Sequence, residues 1–180
     1  MSLPAASRLD LASDLAAGTS ASRANLRSGF AQRKGRTAGY ATAPAADLAD
    51  RPRSVSHAQA ASLRLAALTA WQALTDHAGL QPGERVLVQG GAGGVGVYAV
   101  QLAAILGADV TATGRAGQGD FVRSLGARTF TEDARDVRDG FDVVVDTVGG
   151  PAFEASYGPG HTRQARRYCS CADGGVISRS

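Results

Sequence analysis

The sequence predicts an α/β fold built around a parallel, doubly wound sheet, and three observations predict it. Short apolar runs, Val86-Leu87-Val88 and Val143-Val144-Val145, are separated by stretches with helical spacing of apolar residues. Such continuous apolarity is what a strand covered on both faces needs. A glycine-rich turn, Gly91-Ala92-Gly93-Gly94-Val95-Gly96, lies between the first run and a helical stretch. The alternation of strand and helix then implies parallel strands joined by right-handed crossovers.

Taken in order, residues 1–38 are dominated by Ala, Ser, Arg and Gly and are expected to be disordered or unrelated to the rest of the chain, apart from a short helical stretch around Leu9 to Ala17. Residues 39–56 read as an extended segment and a turn, with Arg51-Pro52-Arg53 as punctuation and Ser54 or Ser56 available as a cap. From His57 to Ala78, Ala61, Leu63, Leu65, Leu68, Trp71 and Leu74 recur with helical spacing, which predicts one long helix or two joined by a bend. Gln81-Pro82-Gly83 makes a turn into the first strand, Arg85 to Gln89. After the glycine loop a helix is expected from about Gly94 to Leu106, closed by Gly107.

Asp109 to Thr113 reads as the second strand, Asp120 to Leu125 as a helix, Arg128 to Thr131 as a third strand and Phe141 to Asp146 as a fourth. Pro151 to Ser156 starts a further helix, so that 57–156 forms one domain. Residues 157–180 show no convincing period and are expected to be an irregular tail, which would leave the sheet short of one flank.

Composition narrows the function classes. The chain has 180 residues, 44% of them hydrophobic and 19% charged, as in a globular domain or one domain with part of a second. No apolar run reaches the roughly 20 residues that a membrane span requires. Cys169 and Cys171 alone cannot build a disulfide framework, so a cytoplasmic setting is expected. No secretory signal pattern opens the sequence. The net charge is +3, with arginines gathered toward both ends. Only Phe30 and Tyr168 lie among them, so stacking platforms for a nucleic acid are lacking and no such partner is expected.

The glycine loop carries the chemistry. A strand that turns through glycines into a helix aims free amides and the positive end of the helix dipole at an anion. Gly91 would permit the tight turn, Gly93 the approach of a pyrophosphate, Gly96 close packing of helix on strand, and Gly94 further room. The choice of dinucleotide is made after the second strand, where an acidic residue would bind the ribose 2′-hydroxyl of NAD. Thr113-Gly114-Arg115 stands there instead, and a guanidinium suits the 2′-phosphate of NADPH.

Several stretches together resemble the medium-chain dehydrogenase/reductase superfamily in its zinc-independent, quinone-oxidoreductase-like branch. They are Gly39-Tyr40-Ala41, Leu65 to Leu74, Gly83 to Val88, Gly91 to Gly96, Ala99 to Ala103, Phe121 to Ala127 and Asp146 to Gly150, covering about residues 39–156. The resemblance implies a partial Rossmann domain preceded by the remnant of a GroES-like catalytic domain. It implies hydride transfer from NADPH to a quinone, enone or similar carbonyl compound. The alternative is a catalytically inactive dinucleotide-binding fragment of such an enzyme.

By the same resemblance Thr69 lies near the nicotinamide, Ala92 to Val95 meet the pyrophosphate, Gly114 and Arg115 the adenosine phosphate, and Val148 and Gly149 line the cofactor site. Thr69 reads equally as a helix-packing hydroxyl. No catalytic side chain is named, because the protein's part is to orient the cofactor. No zinc is expected: early cysteines are lacking, and His161, Cys169 and Cys171 fit no familiar metal spacing. The sequence reads as truncated at both ends relative to the family. A homodimer is left open.

Overall fold

The computed structural model describes residues 8–10, 27–29, 40–42, 48–132, 136, 140–150, 165–171 and 177–179. The chain divides into two compact units, residues 1–65 and 66–180. In the first, β1 (Arg8–Asp10) pairs antiparallel with β3 (Tyr40–Thr42), and β2 (Arg27–Gly29) pairs antiparallel with β4 (Leu48–Asp50). The helical stretch expected from Leu9 is therefore a strand at its described residues; the remainder of it lies outside them.

Helix α1 (His57–Gln72) begins as expected at a serine. The Gln59 amide donates to Ser56 Oγ at 3.2 Å and the Ser56 amide to Gln59 Oε1 at 2.8 Å, a reciprocal capping box. Of the two expectations, one long helix or two joined by a bend, the first is met: α1 runs on into a π-helical turn, Ala73–His77, followed by Gly79 at φ +56°. The wide turn frees the Ala73 carbonyl to accept the Cys169 thiol at 3.3 Å as well as the Ala78 amide at 3.0 Å.

The second unit holds β5 (Arg85–Gln89), α2 (Gly96–Ile105), β6 (Asp109–Thr113), α3 (Gly119–Ser124), β7 (Thr129–Thr131), β8 (Phe141–Asp146), β9 (Ala165–Ser170) and β10 (Ile177–Arg179). The sheet order is β10-β9-β8-β5-β6-β7, with five parallel strands and β10 antiparallel at the edge. The expected parallel α/β sheet is thus present. The irregular tail is not: it supplies a fifth parallel strand that pairs Val145 with Cys169 and Asp146 with Ser170, and so covers the flank of β8. The helix expected from Pro151 lies outside the described residues.

Side chains alternate across the sheet, and both faces are buried. Val86, Val88, Val110, Ala112, Val143, Val145 and Cys169 pack with Ala70, Ala73 and Leu74, with Ala99, Val100 and Ala103 of α2, and with Val122 of α3. Leu87, Phe141, Val144 and Tyr168 form a second buried cluster. The apolar spacing of α1 only partly marks this core. Leu68 and Trp71 are half exposed, and the small residues beside them do the packing.

At the amino ends of the strands Arg167 ties three elements together. Its guanidinium donates to the Gly79 carbonyl at 3.1 Å, to the Ala78 carbonyl and to Glu84. The Glu84 carboxyl is held below its ordinary value of 4.5, first by that hydrogen bond from Arg167. A depressed folded-state pKa contributes stability above the unfolded value, and the contribution is lost as pH falls through the folded one. Arg167→Ala is accordingly expected to lower stability by about 2 kcal/mol at neutral pH, in denaturant melts. Glu84→Gln should be destabilising at neutral pH and indistinguishable from wild type once Glu84 is protonated. A constant difference across that pH range would show that the ion pair contributes nothing.

Candidate dinucleotide-binding site

Among the described residues the buried polar side chains are Gln89, Thr113 and Asp146, and each is the last residue of a strand, β5, β6 and β8 respectively. Burying polar atoms is costly unless they are hydrogen-bonded, so their gathering at one edge marks that edge as built for polar contact. It is the carboxyl edge, and the strand order reverses there between β5 and β8. Open α/β sheets bind their ligands at that position.

The glycine loop leaves β5 at this switch point. The positive φ that the turn needs falls on Gly90 (+74°), one residue before the motif, and not on Gly91. Gly91 serves packing instead: a Cβ there would stand 2.8 Å from Ala112 Cβ. Gly96 allows the close approach of helix to loop, since its Cβ would fall 2.0 Å from the Gly90 carbonyl oxygen. Gly93 donates to the Gly90 carbonyl at 2.8 Å. Nothing stands within 4 Å of a Cβ placed on Gly94.

Two threonines pin this loop, and neither was marked by motif reading. Gly90 donates to Thr113 Oγ1 at 3.3 Å and Gly91 to the Thr113 carbonyl at 2.8 Å. From the other side Thr147 Oγ1 donates to the Gln89 carbonyl at 2.7 Å. Helix α2 starts at Val95 without a side-chain cap. Among the described residues the amides of Ala92, Gly94, Val95 and Gly96 make no backbone hydrogen bond. An uncapped helix start with open amides, beside space that a Cβ does not fill, fits a phosphate group.

Beyond β6, Gly114 and Arg115 begin a loop closed on itself by Gln118, whose Oε1 accepts the Arg115 amide at 2.8 Å. The Gly114 amide reaches the Thr131 carbonyl at 3.3 Å, and Arg115 is exposed. Next to this loop a cavity of about 370 Å³ is lined by Gly117, Gly119, Asp120, Arg123, Phe130, Thr131 and Glu132. Arg123 lies over the Phe130 ring, 6.0 Å from its centroid.

On the opposite side of the switch point, Asp146 Oδ1 accepts the amides of Val148 at 2.8 Å and Gly149 at 2.9 Å. Val148 is half exposed on this turn, and Gly149 adopts φ +69°. The structure therefore brings the glycine loop, Gly114–Arg115 and Val148–Gly149 to one edge. Thr69 lies half-buried on α1, next to Ala70 of the core.

Burial pushes the thiols of Cys169 and Cys171 up to about 11, which keeps them protonated at neutral pH and poor as nucleophiles. His161 lies outside the described residues. No helix among the described residues is long and apolar enough to cross a membrane.

Fold and strand order together define a Rossmann-type α/β domain with a candidate ligand site at its switch point. No family model matches the chain. Among solved structures it is similar to an alcohol dehydrogenase superfamily protein from Novosphingobium aromaticivorans, with 38% identity and a TM-score of 0.66 over 77% of this chain and 44% of that one. It is also similar to the quinone oxidoreductase of Thermus thermophilus, solved with and without NADPH, with 31% identity and a TM-score of 0.63 over 72% and 45% of the respective chains. Among curated proteins, a mitochondrial NAD(P)H oxidoreductase of Bos taurus is 39% identical in an alignment that covers 58% of this chain and 29% of that protein. The resemblance to the medium-chain dehydrogenase/reductase superfamily, in its quinone-oxidoreductase-like branch, thus holds in sequence and in fold. The chain spans less than half the length of each of these three relatives.

Proposed function

We propose that the chain binds NADPH across the carboxyl edge of its sheet and serves hydride transfer to a quinone, enone or similar carbonyl acceptor. The observation that carries the reading is the pinned glycine loop at the switch point, opening into an uncapped helix. In this reading Ala92, Gly93, Gly94 and Val95 meet the pyrophosphate, with Gly91 and Gly96 shaping the loop around it. Gly114 and Arg115 face the 2′-phosphate, and the cavity beside them receives the adenine. Val148 and Gly149 border the nicotinamide, with Thr69 on the helix that leads into the domain. The bound cofactor supplies the hydride; the chain's own residues hold the dinucleotide and keep its reactive ring at the switch point.

The reading includes no zinc, in keeping with the spacing of His161, Cys169 and Cys171, which fits no familiar metal site. It further includes a small-molecule acceptor, no nucleic-acid partner, a cytoplasmic setting and pairing of two copies as a homodimer. The preference for NADPH over NADH rests on Arg115 and on the lack of any carboxylate between Asp109 and Asp120.

A second reading is a dinucleotide-binding fragment without catalysis, favoured by the limited share of its relatives that the chain spans. Titration of the full chain with NADPH and NADH, followed by turnover on quinones and enones, tests both. Saturable binding with tighter affinity for NADPH and consumption of the cofactor is the expected result. Binding without turnover favours the fragment reading, and no binding removes the cofactor reading altogether.

A further inference from the structure

Asp146 is a fully buried carboxylate that the hydride-transfer reading does not use. Its Oδ1 accepts the amides of Val148 and Gly149, and its Oδ2 accepts the Tyr168 hydroxyl at 2.5 Å. Its own carbonyl accepts the Cys171 amide at 2.8 Å. Tyr168 belongs to β9 and is itself buried. Burial, and then the neighbouring carboxylate, hold its phenol protonated far above the ordinary range, so that it stays a donor.

A buried carboxylate persists only where the surrounding donors over-determine it. Here the donors are two amides of one turn and one phenol from the next strand. A link between β8 and β9 alone would need only the strand ladder that already joins them. The carboxylate adds a fixed orientation of the turn, with the Val148 and Gly149 amides drawn toward it.

We infer that Asp146, backed by Tyr168, is a positioning residue for the nicotinamide half of the dinucleotide. It holds the Val148–Gly149 turn in the one orientation that presents the exposed Val148 side chain at the edge of the crevice. A dinucleotide lies across the switch point with one mononucleotide on each side. Arg115 marks the β6 side for the adenosine half, which leaves the β8 side, and this turn, for the other. The inference rests on the cofactor reading above. It goes beyond that reading in assigning a role to two residues that touch no ligand themselves.

The test uses the full chain with two ligands, NADPH and 2′,5′-ADP, which shares only the adenosine end. Asp146→Ala is expected to weaken NADPH at least tenfold and to leave 2′,5′-ADP within twofold. Asp146→Asn, which restores an acceptor for both amides, should recover most of the loss. Because Asp146→Ala is a core substitution that can impair folding, Tyr168→Phe gives an independent arm: it removes one hydroxyl, and NADPH should weaken at least threefold with 2′,5′-ADP unchanged. In the ligand-free protein, hydrogen exchange of the Val148 and Gly149 amides should quicken in both Asp146→Ala and Tyr168→Phe.

Equal losses for the two ligands would show a purely structural role and overturn the inference. Unchanged exchange in Tyr168→Phe would do the same without reference to any ligand. If the wild type binds NADPH no more tightly than 2′,5′-ADP, the turn has no nicotinamide to position and the inference falls while the adenosine site stands. If it binds neither, the cofactor reading fails and takes this role with it.

Discussion

Gly96→Ala is expected to destabilise the chain by about 3 kcal/mol or more and to abolish measurable NADPH binding. The added Cβ would stand 2.0 Å from the Gly90 carbonyl oxygen, 2.8 Å from its carbon and 2.9 Å from Gly91 Cα. All three atoms are backbone, so no side chain can swing aside, and either α2 lifts from the loop or the loop shifts. Gly94→Ala provides the contrast. A Cβ at Gly94 meets nothing within 4 Å, so stability should change by less than about 1 kcal/mol, as expected for a surface helix start. Cofactor affinity should nevertheless fall, because the space beside the open amides is where the pyrophosphate is proposed to lie. Denaturant midpoints and calorimetric titration of both variants separate the packing glycine from the ligand-facing one. Wild-type affinity in Gly94→Ala would place the pyrophosphate elsewhere.

Arg115→Ala is expected to weaken NADPH roughly tenfold to a hundredfold while leaving NADH within about twofold, since a hydrogen bond to a charged group contributes about 1.5–3 kcal/mol. The side chain is exposed, and its loop is fixed by Gln118 rather than by the guanidinium, so the substitution should leave the fold intact. Asp120 and Glu132 line the neighbouring cavity and oppose a phosphate there. In the proposed reading the discrimination therefore falls to Arg115, since Arg123 is engaged in an ion pair with Asp120 at 3.5 Å and in its contact with the Phe130 ring. Equal losses for the two cofactors would show that Arg115 does not read the 2′-phosphate.

The parts of the fold that were legible in the sequence are those where burial on both faces imposes unbroken apolarity. Val86 to Val88 and Val143 to Val145 announce β5 and β8 for that reason. Strand β9 was not legible, because Ala165-Arg166-Arg167-Tyr168-Cys169-Ser170 reads as polar text. Arg167 is accommodated in a strand by satisfying two carbonyls and Glu84, all distant in sequence. Helix α1 was legible from its spacing, yet Leu68 and Trp71 stay half exposed while Ala70 and Ala73 pack.

In the site, glycine spacing is a local signal and marked the loop, although the positive φ belongs to Gly90. Thr113, Thr147 and Tyr168 act through contacts across strands, which no local pattern carries, and Asp146 joins one such contact to two local bonds with the turn that follows it. One signal was available for Asp146: the apolar run of β8 ends on this single polar residue, and it is buried. A polar residue closing an apolar strand is easily read as the start of a turn. Its burial depends on the neighbouring strand and is visible only in three dimensions.

The two threonines that clamp the glycine loop have a kinetic consequence. A loop already held from β6 and from β8 has little disorder to surrender when an anion arrives. Encounter then requires only that water leave the amides, so association need not wait on a rearrangement of the loop. Differences in affinity among variants of this edge should therefore appear mainly as differences in residence time.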